Sequence, residues 1–316
     1  MGCRVLISVD TELTWRHQRG AADWRDNYAR SVEPAGVGIA YQLERLARHG
    51  LKACFFVDPM SALVHGLEPV RRMVEPILAA GQEVQLHLHS FWVGAAEGAT
   101  EGENWELTCF PEARQRDLIG AARDLLVAAG APPPVAYRAG SYAADAATLR
   151  ALKANGIAFD SSHNGSHHPW PSNLPLPPEQ IAPVAVEGIV ELPVTQIEDA
   201  PGRLRHLQLC AVSSDESEAA LLHAAENGHP LVTFVSHSFE LATRDGLRAN
   251  RTLCRRFDRL CRFLEANEDR LPTAHIAELG DLALGVDAKP LPARSLRTAR
   301  RMAEQLWSNL RYERTL

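Results

Sequence analysis

Strand-like and helix-like segments alternate almost from the first residue, and this alternation limits the possible folds more than any other feature of the chain. An apolar run at residues 5–9 precedes a helical stripe of Ile39, Leu43, Leu46 and Ala47, which Gly50 ends at the usual C-terminal cap position. Residues 51–57, rich in Phe and Val, read as the second strand. Val70, Met73, Val74 and Ile77 mark the next helix, Gly81 closes it, and a strand at 83–89 follows. A polar stretch from Gly94 to Asn104 interrupts the rhythm, which a helix around 118–129 restores before Gly130. A strand near 135–138, a helix around 149–155 and a strand at 157–160 continue it. After a Pro/His/Asn-rich loop at 161–180 come strands near 189–194 and 231–236, a helix around 253–264 and a last strand near 273–276. Alternating βα units imply a parallel sheet covered by helices, and about seven of them suit closure into a distorted α/β barrel better than an open sheet.

With 316 residues, 46% of them hydrophobic, the chain is long enough for one large domain with a deep core, assigned to residues 1–284. The formal net charge of −6 gives no reason to expect a nucleic-acid partner. Six scattered cysteines, with no CxxC and no Cys/His cluster, read as buried thiols rather than a disulfide frame. The opening Met1-Gly2-Cys3-Arg4-Val5-Leu6-Ile7 lacks the parts of a signal peptide, and no apolar run approaches the roughly 18 residues that span a bilayer. The expectation is a soluble, cytoplasmic protein. The extension at 285–316 differs in character: Arg294, Arg297, Arg300, Arg301, Arg311 and Arg314 stand against only Glu304 and Glu313 from Pro290 onward. It reads as a helix packed across the barrel with Met302, Leu306, Trp307 and Leu310 facing in, or as a basic amphipathic helix resting on an anionic membrane.

Polar residues of the kind chemistry needs concentrate where strands end, which in an α/β barrel is the active-site face. Asp10 and Glu12, at i and i+2, leave a strand on the same side and suit a metal ligand beside a general base; the alternative is a turn cap and a solvated acid. His87 and His89 repeat the spacing at the end of an apolar strand, a natural chelate for a borderline ion such as zinc. Arg138, followed by Ala139-Gly140-Ser141-Tyr142, carries a donor fork that can hold a carboxylate or make a structural ion pair. Asp160 with His163, and His237 within Ser236-His237-Ser238, complete five such places, since a strand-end His with an acid near it is the ordinary arrangement for a tuned acid or base.

In their order along the chain these five places resemble the polysaccharide deacetylase superfamily, up to about Leu284. The resemblance implies Asp10 as catalytic base, Glu12 and His87 as metal ligands, Arg138 as the group orienting the base, and His237 as general acid supported by Asp160. The family's second metal histidine normally stands four residues after the first, where this chain has Phe91. His89 takes its place, and the HxH pattern resembles the divergent, non-secreted branch. The Pro that usually follows the motif-three Arg is also missing.

These residues imply a divalent ion, zinc in the first instance, acting as Lewis acid for hydrolysis of a C–N amide bond. The expected activity is deacetylation of an N-acylated sugar in polysaccharide or glycolipid biosynthesis. An amidohydrolase of small non-sugar amides and an inactive carbohydrate-binding barrel are the competing readings. Trp92, Trp105, Tyr142 and Trp170 lie in loops expected at the same face, where rings could stack on a sugar or simply pack.

Overall fold

The computed structural model describes residues 2–18, 23–97 and 105–313, so part of the polar stretch after Gly94 and the whole of Arg314 lie outside the described residues. Eight strands make one curled sheet in the order β10-β1-β2-β3-β4-β5-β7-β6. They are β1 (Arg4–Thr11), β2 (Ala53–Val57), β3 (Glu83–Leu88), β4 (Ala136–Ala139), β5 (Phe159–Asp160), β6 (Val184–Val186), β7 (Ile189–Glu191) and β10 (Leu231–His237). All neighbours run parallel except β6, which turns back antiparallel on β7. The remaining pair, β8 (Gln196–Ala200) and β9 (Arg203–His206), forms a separate hairpin.

No strand ladder closes the sheet among the described residues; irregular chain does so instead. Leu192 N donates to Asp160 O at 2.7 Å and Val194 N to His163 O at 2.9 Å, continuing β5. Thr195 N then bonds Thr233 O at 3.3 Å and Leu209 N bonds Val235 O at 3.0 Å, on the free side of β10. Residues 192–209 therefore span the gap and satisfy backbone groups that an open edge would leave bare.

The strands are apolar because helices cover the sheet. Every residue of β2 is buried, as expected for a parallel strand shielded on both faces. The helix Ile39–Arg48 buries Ile39, Gln42, Leu43 and Leu46, and Glu68–Ala79 buries Val70, Met73, Val74 and Ile77. Each such apolar side chain contributes about 1.5–3 kcal/mol, and truncating the fully buried Phe55 to Ala would cost about 3–5 kcal/mol.

Three features differ from the sequence reading. Residues 273–276 do not form a strand. β2 pairs with β1 only from Ile7 onward, leaving a short slot in which Thr273 makes a single bridge to Val5. The Glu83 carboxylate then accepts Ile276 N at 2.7 Å and Ala277 N at 2.9 Å, diverting the chain into a 3₁₀ turn. The β8–β9 hairpin and the helix Ser214–Glu226 were not anticipated, although the helix announces itself by a capping box in which Ser213 and Glu216 exchange hydrogen bonds.

The third difference is the C-terminal helix Ser295–Ser308, which turns its apolar side outward: Met302, Leu306, Trp307 and Leu310 are exposed. Its inward face is held by polar groups. Arg301, only 2% exposed, donates to Asp199 and Glu216 at 3.2 Å each, and Thr298 Oγ1 donates to Asp199 O at 2.9 Å. Arg301 pairs with the buried Glu216 and joins Arg203 and Arg205 on Asp199, and these contacts hold the polar side of the helix inward. The thiols are all free, with Cys3, Cys54 and Cys261 buried but Cys109 and Cys210 exposed.

Candidate metal centre and active site

Sheet register brings the sequence motifs together. Asp10 is the direct neighbour of His237 across β1–β10, and His87 of Arg138 across β3–β4. Glu12 and His89 lie just past the ends of β1 and β3. Side chains two residues apart leave a strand on one side, so each pair projects into the same space above the sheet.

Glu12, His87 and His89 form a cluster whose ligand atoms all lie within 4.8 Å of one another. Glu12 Oε2 is 2.5 Å from His89 Nε2 and 3.3 Å from His87 Nε2, and it is a buried oxygen with no further hydrogen-bond partner. The Nδ1 of His87 lies 2.7 Å from Arg138 O. A carbonyl only accepts, so Nδ1 carries a proton and Nε2 is the atom turned toward the acid. Burial pushes the Glu12 carboxyl up, but the imidazoles of His89 and His87 outweigh it and hold it well below the carboxylate range. Burial likewise pulls His89 down, and Glu12 reverses this, raising it to about 9. The two shifts agree on a charged pair. Two imidazoles and a carboxylate, buried and converging, fit a divalent cation of the zinc class.

Phe91 occupies the position where a second histidine was first to be sought, and its ring packs 4.9 Å from His89. Behind it Trp92 and Trp105 each meet Trp15 edge-on, at 6.1 and 5.6 Å, so Trp92, fully buried, is wall rather than sugar platform. Tyr142 is buried as well, whereas Trp170 is 63% exposed on the loop after β5.

Asp10 stands between two cations. Arg138, completely buried, donates Nη1–H to Asp10 Oδ1 at 2.7 Å. Its other nitrogens are fixed by Ser161 O at 3.1 Å and Ser161 Oγ at 3.0 Å, and it rests on the Phe56 ring at 4.3 Å. The second oxygen, Oδ2, is 3.8 Å from His237 Nε2. His237 is in turn held by Glu240, which accepts His237 N at 3.1 Å and lies 3.9 Å from Nδ1. Burial lowers the imidazole's affinity for a proton, and Glu240 with Asp10 more than restores it, so His237 titrates above the ordinary histidine value. Glu240, pushed up by burial but held down by His237, falls to about 2.

The acid beside His237 is thus Glu240, not Asp160 as expected. Asp160 sits at the end of β5, accepts Ser162 Oγ at 2.7 Å and is the cross-strand neighbour of the buried Glu191. Burial raises both carboxyls, as two acids sharing one proton require. Ser162 Oγ accepts Ala139 N at 2.9 Å, so Asp160 stiffens the turn that carries Arg138. His163 is buried with Nε2 on Pro177 O at 3.1 Å.

Sequence reasoning missed four further residues. Asp58 follows β2 as Asp10 closes β1, and burial pushes it up to about 6 against the pull of His89 and His87. Its Oδ2 is buried without a hydrogen bond. An acid directly after an apolar strand was the signal for it. Glu240, three residues past His237, could have been found as a cap on that turn; Gln208, 3.3 Å from His237 Nδ1, could not. Gly140 matters through what it lacks: a Cβ there would collide with the Nδ1, Cε1 and Cγ atoms of His89. Ser141 and Tyr142 follow at φ of 54° and 60°, a strained pair of non-glycine residues of the kind that clusters at functional sites.

In sequence the chain matches no family model and no curated protein. In structure it is similar to a proposed polysaccharide deacetylase from Mycobacterium smegmatis, with a TM-score of 0.55 and 19% identity over 92% of this chain and 96% of that one. A family 4 carbohydrate esterase from Streptomyces lividans, in complex with acetate, gives a TM-score of 0.46 and 14% identity over 90% and 98% of the two chains. The 4-alpha-glucanotransferase of Thermococcus litoralis gives 0.51 and 11% identity, over 88% of this chain and 40% of that one. The chain therefore shares its fold, a curled half-barrel of mostly parallel strands, with solved structures of the polysaccharide deacetylase kind.

Proposed function

We propose that this protein is a metal-dependent deacylase that hydrolyses the amide of an N-acylated amino sugar. One observation carries the reading: the buried Glu12–His87–His89 cluster lies beside a row of alternating charges, Arg138, Asp10, His237 and Glu240, each within 4 Å of the next. A divalent cation held by Glu12, His87 and His89 would supply Lewis-acid polarisation of the acyl carbonyl and acidify the attacking water. Asp10 is the base. Arg138 occupies its Oδ1, which leaves Oδ2 to take a proton as water adds to the acyl carbon. His237, whose protonated form Glu240 and Asp10 favour, gives its proton to the nitrogen as the C–N bond breaks, so acid and free amine leave. Arg138 then holds the spent base in place for the next turnover.

The glucanotransferase shares the fold, but glycosyl transfer needs two carboxylates free to flank a sugar C–O bond. Here Glu12 is committed to two imidazoles and Asp10 to a guanidinium, which suits acyl transfer better. The deacetylase likeness of the mycobacterial structure supports an acylated sugar as substrate.

The test is release of acetate by protein reloaded with zinc, cobalt or manganese, from a panel of N-acetylated mono- and oligosaccharides and sugar phosphates set against cyclic amides. Turnover of the sugars that a chelator abolishes is the expected result. Turnover of the cyclic amides alone would move the protein to the small-amide class. One bound ion per chain with no turnover of anything would leave a binding barrel.

A further inference from the structure

The outward face of the C-terminal helix remains without a role in this chemistry. Leu296, Ala299, Ala303, Leu306, Trp307 and Leu310 recur at helical spacing along one side of Ser295–Ser308 and its short continuation. The large ones are well out of the protein, Leu296 65%, Leu306 62%, Trp307 53% and Leu310 46% exposed, with Met302 at 58% beside them. This is not a loosely attached tail. Besides Arg301, Ser308 bonds Asn250 at 3.3 Å, Arg256 holds Glu304 at 3.0 Å and Gln305 donates to Cys210 O at 3.2 Å. A helix fixed by its polar side presents its apolar side by construction, and a contiguous apolar patch of this kind marks an interaction surface.

The charge beside the stripe identifies its partner. Along one flank runs a groove lined by five arginines, Arg255, Arg256, Arg259, Arg262 and Arg300, with Trp307; its two acids, Asp215 and Glu304, pair with Arg259 and Arg256 and leave an excess of positive charge. Along the other lies a cavity of about 930 Å³ that Leu306 and Leu310 border together with Arg16, Arg30 and Arg244. Residues 285–316 hold seven Lys and Arg against three Asp and Glu, in a chain whose formal net charge is −6. An apolar ridge between two rows of arginines matches the section of an anionic bilayer, with acyl chains under the ridge and headgroups at its sides. Trp307, edge-on to Tyr312 at 6.1 Å, adds the aromatic pair favoured at that boundary. A second copy of the chain fits less well, because a two-fold contact across this ridge would oppose arginine rows of like sign. No described helix is long and apolar enough to cross a membrane.

We propose that this face docks the protein peripherally on an anionic lipid surface. The inference stands apart from the hydrolase reading and does not need it. Its consequence is positional: the cavity at the ridge also holds Gln208 and Glu240, both bonded to the His237 turn, so docking sets its mouth at the lipid boundary.

Sedimentation of the full chain with phosphatidylcholine vesicles, with and without phosphatidylglycerol, tests this without any substrate. Binding should appear with the anionic lipid and weaken as salt is raised. The pair Leu306→Ser/Leu310→Ser should weaken it by at least about tenfold, and Arg255→Gln/Arg262→Gln by roughly fivefold per charge removed. Circular dichroism of each variant checks the fold, and the arginine pair, being exposed, keeps the test open if the leucine pair misfolds. Equal binding to neutral vesicles, no binding to either, or no effect of the arginine pair would overturn the proposal. So would light scattering that finds a dimer which the leucine pair dissolves.

Discussion

Replacing Gly140 by alanine is the most discriminating perturbation of the candidate metal centre, because the residue has no side chain and carries no charge. Its backbone does not require glycine, since its φ lies outside the left-handed region where Gly50 and Gly81 sit. What requires glycine is His89. An added Cβ would stand 2.6 Å from Cε1 and 2.7 Å from Cγ of that ring, and nearer still to Nδ1. Carbon atoms are comfortable at about 3.5–4.0 Å, so the imidazole would have to withdraw by about 1 Å. A metal–nitrogen bond tolerates about 0.2 Å, so Nε2 would leave coordination range. Even an outer-sphere change costs about 10- to 100-fold in metal affinity, and this one moves a ligand, so at least that loss is expected. Should the ring hold its place instead, overpacking would destabilise the metal-free fold by about 1–3 kcal/mol. Zinc titration against a chromophoric chelator measures the first effect, and thermal melts of metal-free protein measure the second. The control is a double-mutant cycle: in a His89→Ala background the added methyl meets no ring and should change neither quantity. Unchanged affinity together with unchanged stability in Gly140→Ala, or the same losses without His89, would refute the steric argument.

Three further outcomes follow from the same geometry. Glu240→Gln removes the anion that keeps His237 protonated, so the alkaline limb of the rate profile should move to lower pH with metal content unchanged, while Asp160→Asn should leave that limb in place; the reverse pattern would restore Asp160 as partner. Asp10→Asn should lower kcat by about 100- to 10,000-fold with zinc still bound, and loss of the metal instead would make Asp10 a ligand. His163 is buried with its imidazole held down at about 4 against an ordinary 6.5. As pH falls through that window the unfolded chain takes up a proton that the folded one refuses, so stability drops by as much as roughly 3 kcal/mol. Urea midpoints between pH 7 and pH 4 should fall less steeply in His163→Gln, and an identical slope would show that His163 is not the group responsible.

Much of this architecture was legible before any contact was known. Strand and helix periods differ, two against 3.6, so the βα alternation from Val5 to Leu264 announced a parallel, helix-covered sheet. The same period of two placed Asp10 with Glu12, and His87 with His89, because residues two apart on a strand share a face whatever the strand packs against. Where the signal was not periodic the reading ran out. Residues 273–276 look like a strand by composition, but the slot they meet beside β1 is too short for a ladder.

Partnership between distant segments belongs to tertiary structure. That Arg138 reaches an acid 128 residues away is a matter of sheet register, and so is the neighbouring of Asp10 and His237. The acid assigned to His237 failed for the opposite reason: Asp160, 77 positions back, is absorbed by Glu191 and Ser162, while Glu240 stands on the same turn. Gly140 carries no mark in the sequence, since its absent Cβ matters only against a ring brought from another strand. The C-terminal helix shows the division most plainly. Its composition determined an apolar stripe and a basic side. Which side faces the protein was decided by tertiary ion pairs: Arg301 meets Glu216 and joins Arg203 and Arg205 on Asp199, contacts that exist only once the chain is folded.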